Sequence, residues 1–145
     1  MPLLDLDRFV RAQDGGVFGK AVAELRAGRK RSHWMWYIFP QLDGLGSSPT
    51  AGRYAISGLA EAQAYLAHPI LGPRLLAAAS AVLEASPERT ASDILGYPDD
   101  LKLRSSMTLF AAAAADPRPF EQVLERFYDG PDERTLQLLS AARPS

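Results

Sequence analysis

The sequence contains no cysteine and only two histidines among its 145 residues. Without cysteine the chain has no disulfide framework, no thiolate metal site and no cysteine nucleophile. His33 and His68 stand 35 residues apart, so a histidine-rich metal site is not expected. Long apolar runs are missing as well, because residues 34–39 and 75–83 fall far short of the ~20 residues that span a bilayer. We therefore predict no metal, no cofactor and no association with a membrane.

A strong charge of either sign is also missing, since 16 basic and 17 acidic residues give a formal net charge of −1. Nucleic acid is therefore an improbable partner, because nucleic-acid-coating proteins need a broad basic face. An apolar share of 47% and a length of 145 residues predict one globular domain over residues 1–145. The first seven residues lack the charged and then apolar order of a signal peptide, which predicts a cytoplasmic protein.

Apolar residues recur at helical spacing along almost the whole chain, between glycines and prolines that end each segment. No convincing strand and no internal repeat interrupts this pattern. We predict an all-α fold, a compact single-domain bundle of about seven or eight short helices. Three helix starts are expected at capping residues, namely Asp5, Ser86, and Thr90 paired with Asp93 in a capping box.

Residues 34–39 form an apolar run that fits either a buried strand or a buried helix. Its six residues and aromatic bias favour a strand, whereas the lack of any partner strand favours a helix. Residues 40–53, which follow, are rich in glycine, serine and proline. That composition predicts a loop longer than the usual ~4–6 residues, and such loops are candidates for binding.

Cations, aromatic rings and a histidine are concentrated in residues 26–37. The cations bind phosphate or carboxylate oxygens, and the rings stack on nucleobases. His33 adds the one nearby side chain that exchanges protons near neutrality. The other predicted ligand-binding residues of this segment are Arg29, Lys30, Arg31, Trp34 and Trp36. A structural interpretation stays open and is favoured by residue types alone, because paired tryptophans are usually core residues and basic runs often follow helices.

A second group of charged residues opens the helix predicted after residue 98. Helical spacing brings Asp99 to Lys102 and Asp100 to Arg104, so two ion pairs are expected. In one interpretation these pairs only stabilise a solvated helix start, by ~0.3–0.5 kcal/mol each. In the other interpretation, Asp100 is a base and the two cations stand at the rim of a pocket.

Both segments resemble a known family. Residues 29–41 read Arg-Lys-Arg-Ser-His-Trp-Met-Trp-Tyr-Ile-Phe-Pro-Gln, and residues 99–107 read Asp-Asp-Leu-Lys-Leu-Arg-Ser-Ser-Met. These blocks resemble the signature of a mainly bacterial family catalogued as domain of unknown function 1810, and the resemblance covers nearly the whole chain. It implies a mainly helical fold and no established activity. Some members carry a calpastatin label, which does not fit a compact apolar domain.

The order of elements is also similar, more distantly, to the YbiA-like NADAR superfamily. The resemblance implies action on N-glycosidic bonds of compounds related to ADP-ribose. That superfamily's early helix carries a Glu-His pair and a lysine about two turns on. Here the corresponding residues are Ser32 and His33, and no lysine follows before Lys102, so the catalytic residues do not carry over.

We therefore predict that the protein binds or hydrolyses a small nucleotide-like ligand at an N-glycosidic bond, as a possible N-glycoside hydrolase. The alternative is a non-catalytic module that binds a small molecule or a protein. In the hydrolase, His33 or Asp100 handles the proton, and Lys102 and Arg104 join the cations of residues 29–31 in binding the ligand. This hypothesis requires residues 29–37 and 99–106 to converge on one concave pocket.

Overall fold

A computed structural model describes residues 5–46, 48–85 and 87–141. The predicted all-α class is confirmed, and no strand occurs within these ranges, where an isolated parallel bridge joins Leu42 to Ile56. The described residues form ten helices rather than seven or eight: α1 (Asp7–Gln13), α2 (Val17–Arg26), α3 (Met35–Ile38), α4 (Pro49–Arg53), α5 (Leu59–Ala67), α6 (Leu71–Leu83), α7 (Ala91–Leu95), α8 (Asp99–Ala113), α9 (Arg118–Phe127) and α10 (Glu133–Ala141).

Two of the additional helices are single turns near the candidate binding loop. The apolar run of residues 34–39 contains α3, so its ambiguity is resolved in favour of a helix. The predicted loop of residues 40–53 ends in α4, where the Ser48 hydroxyl accepts a hydrogen bond from the Ala51 N–H at 3.0 Å. Proline at the first helical position and serine before it are typical of a helix start, so the sequence carried this signal.

The three capping predictions have different outcomes. The capping box is confirmed, because Thr90 and Asp93 each accept a hydrogen bond from the other's backbone N–H at 3.0 Å. The prediction for Asp5 is wrong: α1 begins at Asp7, and the residue before it, Leu6, is helical and has no capping side chain. Ser86 lies outside the described residues.

The core is organised around α8, which packs against α5, α7, α9 and α10. Its residues 105–110 are all buried, so this helix is surrounded by protein along its middle. A row of aromatic rings crosses the core from Tyr65 through Phe110 to Phe120, with centroid distances of 5.2 and 6.1 Å. Because α8 is held this firmly, the charged residues of its first turn have fixed positions at the edge of the core.

The helices α5 and α6 meet at a bend of 91°. The ring nitrogen Nδ1 of His68 accepts from the Ile70 and Leu71 N–H groups at the bend, at 3.1 and 3.3 Å. Within the described ranges, no single helix is long and apolar enough to cross a membrane. Taken together, the bent pair α5 and α6 is long and apolar enough by length and composition alone.

Candidate functional site

The loop between α2 and α3 is built around the carboxylate of Glu24, which is only 8% exposed. One oxygen, Oε1, accepts from the Arg31 N–H at 2.8 Å, the Ser32 N–H at 3.0 Å and the Trp34 indole N–H at 2.9 Å. The other oxygen, Oε2, accepts from the Ser32 hydroxyl at 2.7 Å. Among the described residues, no cation forms an ion pair with Glu24, so hydrogen bonds alone satisfy this charge.

The protonation of Glu24 follows from these contacts. Burial raises the pKa of the carboxyl group, because a low-dielectric environment disfavours the charged form. The hydrogen bonds from Arg31, Ser32 and Trp34 together lower it by more, and the pKa falls from 4.5 to about 2. The folded protein therefore holds Glu24 as a carboxylate at any physiological pH.

Stability is expected to depend on pH through Glu24. The folded pKa of about 2 lies below the ordinary value of 4.5, so its contribution to folding is complete above pH 4.5. This contribution is lost as the pH falls from 4.5 through 2, by ~3 kcal/mol in all. Urea unfolding of the native chain and Glu24→Gln should show a stability difference that shrinks as the pH falls over this window. A difference that stays constant with pH would contradict this account.

The two predicted segments meet at Asp99, the first residue of α8. Its Oδ2 lies 2.9 Å from the Lys30 ammonium, and its Oδ1 lies 3.2 Å from the Lys102 ammonium. The predicted pair of Asp99 and Lys102 is therefore confirmed, and Lys30 joins it from the loop. All three side chains are mostly buried, and one carboxylate facing two ammonium groups leaves one positive charge at this point.

The two tryptophans have different surroundings. Trp36 is half-buried, and the Lys102 ammonium lies 3.7 Å from its ring centroid. Trp34 is 1% exposed, donates to Glu24, and has the Lys30 ammonium at 5.2 Å from its ring. Trp36 therefore has ring surface for a ligand to stack on, whereas Trp34 is a core residue that fixes the loop.

The remaining predicted residues of this segment are Arg29, Arg31 and His33, and all three are exposed. Within the described part of the chain, none of their side chains has a hydrogen-bond or ion-pair partner. The backbone carbonyl of His33 accepts from the Tyr37 hydroxyl at 3.0 Å, which fixes the chain but leaves the imidazole free. Two exposed guanidinium groups thus flank Lys30 in the sequence.

Asp100 and Arg104 belong to a different face of α8. The predicted ion pair between them is wrong for the described residues: Arg104 donates instead to the Gly130 carbonyl at 2.9 Å and to Asp129 at 3.0 Å. The Tyr128 hydroxyl donates to the Asp100 carbonyl, and Asp100 Oδ1 is buried without a hydrogen-bond partner among the residues that the structure describes. Successive residues turn by about 100° around a helix, so this face lies away from Asp99 and Lys102.

The structure therefore divides the predicted site. One group, named here the Trp36 surface, consists of Lys30, Trp36, Asp99 and Lys102, and the exposed residues Arg29, Arg31 and His33 flank it in the sequence. Asp100 and Arg104 pack instead against residues 128–130. No group of three or more metal-ligating side chains occurs within the described ranges.

The candidate binding loop of residues 40–53 packs against one edge of Trp36. It leaves a crevice of about 10 Å³, lined by residues 41–44, 46, 51, 54 and 55 together with Trp36. A Cβ added to Gly46 would lie 2.6 Å from the Ala51 Cβ and 3.9 Å from the Trp36 ring, so the loop is tightly packed here. The loop thus supports the ring instead of enclosing a cavity of its own.

One contributor, Glu24, was missed in the sequence. Glu24 is a single charge among the apolar positions Ala21, Val22 and Leu25 of α2, and a charge on a buried face was the available signal.

Comparisons with known proteins agree with this fold. A family model described as "Protein of unknown function (DUF1810)" matches residues 3–139. The crystal structure of the conserved hypothetical protein Rv1873 from Mycobacterium tuberculosis is similar to this chain, with a TM-score of 0.90 and 55% identity. The match covers 94% of this chain and 96% of that chain. No curated protein matches the sequence.

Proposed function

This chain belongs to the DUF1810 family of proteins of unknown function, and from its Trp36 surface we propose that it binds a small nucleotide-like ligand. The ligand has a phosphate group and a flat ring. One observation supports this proposal: two lysine ammonium groups share Asp99, and one of them lies against the half-buried ring of Trp36.

The phosphate is assigned to the lysines. Lys30 and Lys102 are held by a single carboxylate, so each ammonium keeps donors for a further oxygen, and a phosphate adds charge-assisted hydrogen bonds. Because Asp99 already fixes both side chains, little rotamer entropy is lost when the ligand binds. Arg29 and Arg31 have exposed, unpaired guanidinium groups, and these add attraction from the loop.

The flat ring is assigned to Trp36. Lys102 occupies part of one face of this indole, at 3.7 Å from the centroid. The indole surface that Lys102 leaves open accepts a base by stacking, which contributes ~1–3 kcal/mol per base in other proteins. Trp34, which was also predicted to stack, is left out because its ring is buried.

Binding is proposed in preference to hydrolysis. Cleavage of an N-glycosidic bond by the predicted mechanism needs an acid or base within hydrogen-bonding distance of the ligand. His33 is exposed on the loop, and Asp100 packs near Tyr128 on another face of α8. The geometry thus favours a small-molecule-binding module over an N-glycoside hydrolase.

The proposal predicts that AMP lowers the tryptophan fluorescence of the protein when its base stacks on Trp36. Lys102→Met is expected to weaken the affinity by roughly ten- to a hundredfold, because a hydrogen bond to a charged group contributes ~1.5–3 kcal/mol. Lys20→Met is the matched control, since Lys20 is exposed on α2 and does not belong to the Trp36 surface. The measurement is a fluorescence titration with each variant, after thermal unfolding has shown that the variant is folded.

Truncated ligands separate the two contributions. Ribose 5-phosphate should bind more weakly than AMP, and adenosine more weakly still, because the phosphate supplies most of the attraction. Equal affinities for AMP and adenosine, or an unchanged affinity in Lys102→Met, would refute the proposal. Release of nicotinamide from NAD under the same conditions would favour the hydrolase instead.

A further inference from the structure

A separate cavity of about 640 Å³ lies between α8, α9 and the segment that leads into α10. This volume is typical of pockets that hold small molecules. Its apolar lining comes from both helices and from the chain around α10, and consists of Ala111, Ala112, Leu124, Pro131 and Leu136. None of these residues belongs to the Trp36 surface, so the cavity is independent of the function proposed above.

The polar lining of this cavity is acidic. Glu121, Glu125 and Asp129 line it, and no lysine or arginine does so among the described residues. Two arginines approach these carboxylates from outside the lining: Arg118 lies 3.8 Å from Glu121 and 3.1 Å from Glu125, and Arg104 lies 3.0 Å from Asp129. In these ion pairs of the described residues, three carboxylates face two guanidinium groups, so the rim keeps an excess of negative charge.

The wall opposite α9 is fixed in place. Arg104 holds the Gly130 carbonyl at 2.9 Å, and the Thr108 hydroxyl accepts from the Asp132 N–H at 2.8 Å. Asp132 in turn accepts from the Thr135 N–H at 2.9 Å, at the start of α10. The segment between α9 and α10 is therefore tied to α8, and the cavity exists before any ligand binds.

Tyr128 contributes a neutral aromatic surface to the lining. Its hydroxyl donates to the Asp100 carbonyl, so the ring has a fixed orientation. Burial, and secondly the nearby Asp100 carboxylate, raise the pKa of this hydroxyl, which therefore stays protonated. The Arg104 guanidinium already lies 5.7 Å from the centroid of this ring, so the ring adds apolar surface and the carboxylates supply the attraction for a cation.

We propose that this cavity binds an organic cation with an apolar body, of the arylalkylamine class. The ammonium group lies at the rim formed by Glu121, Glu125 and Asp129. The apolar body lies on Leu124, Leu136 and the alanines of α8. Charge complementarity determines the class, because an anion of the same shape meets only carboxylates at this rim.

Three probes of one shape test this proposal: 4-phenylbutylamine, 4-phenylbutanol and 4-phenylbutyrate. Each is titrated into the ¹⁵N-labelled protein, and amide chemical shifts are followed. The amine is expected to shift the amide signals of residues 108–112 and 121–131. It should bind about fivefold more tightly than the alcohol, which is the gain expected from a partly exposed ion pair. The butyrate is expected to bind most weakly of the three.

Variants separate the charge from the apolar surface. The double variant Glu121→Gln with Glu125→Gln should remove the preference for the amine over the alcohol, whereas Leu136→Ala should weaken both. Glu88→Gln is the matched control, because Glu88 is exposed and lies outside the cavity. Butyrate binding as tight as that of the amine, shifts confined to other residues, or no binding of the amine would overturn the proposal.

Discussion

Replacing Glu24 with alanine is expected to lower the free energy of unfolding by about 3–5 kcal/mol, because it breaks a buried hydrogen-bond network around a charged acceptor. Four donors lose their acceptor at once: the N–H groups of Arg31 and Ser32, the Ser32 hydroxyl and the Trp34 indole N–H. A buried donor without a partner costs ~1–3 kcal/mol, and partial access of water reduces the sum. The melting temperature should fall by roughly 10 °C in a domain of this size.

Two further variants show whether the carboxylate itself matters. Glu24→Gln keeps one carbonyl oxygen as an acceptor but offers an NH₂ group to the Ser32 hydroxyl, so its loss of stability should be intermediate. Glu84→Ala removes an exposed glutamate paired with Arg26 at 3.0 Å, and should change stability by less than about 1 kcal/mol. Thermal unfolding followed by circular dichroism measures all three, and equal losses in Glu24→Ala and Glu84→Ala would contradict the assignment.

Gly72→Ala is expected to destabilise the protein by about 3 kcal/mol, the upper range for adding a methyl group to a packed core. A Cβ at this position would lie 2.2 Å from the backbone oxygen of Leu66 and 3.0 Å from its carbonyl carbon. Because these are backbone atoms of α5, no side chain can move aside. The two helices must separate, and contacts in the core are lost on both.

Gly19→Ala is the matched control for this change. Gly19 lies inside α2, and a Cβ there would meet nothing within 4 Å. Alanine is the better helix former, so this variant should gain ~0.5–1 kcal/mol. In urea unfolding, the free energy of unfolding should therefore fall in Gly72→Ala and rise in Gly19→Ala. A fall in both variants would show that the close approach at Gly72 is not the cause.

The fold was largely predictable because local signals agree with it. Glycines and prolines separate the helices, and the Thr90 capping box forms as its spacing predicts. The failures arise where the local pattern fits more than one structure. Residues 34–39 are apolar on every side, so periodicity alone could not distinguish helix from strand. Asp5 stands near the start of α1, but its side chain caps nothing there, and α1 begins two residues later.

The contacts around Asp99 were predictable from the sequence only in part. Helical spacing correctly predicts the pair of Asp99 and Lys102. Lys30 from the neighbouring loop binds the other oxygen of Asp99, so it does not displace Lys102. The same rule fails for Arg104, because Gly130 and Asp129 offer it better partners from a distant part of the chain. Spacing along one helix gives no information on such tertiary competitors.

The central claim is that the loop before α3 and the first turn of α8 form one binding surface. The most direct test is a titration of ¹⁵N-labelled protein with AMP, in which amide and Trp36 indole shifts are followed together. We expect the signals of residues 29–36 and 97–102 to shift with a single dissociation constant. The chemical shifts of residues 121–131 should not change. Shifts confined to one of the two segments, different dissociation constants for them, or no shifts at all would contradict the claim.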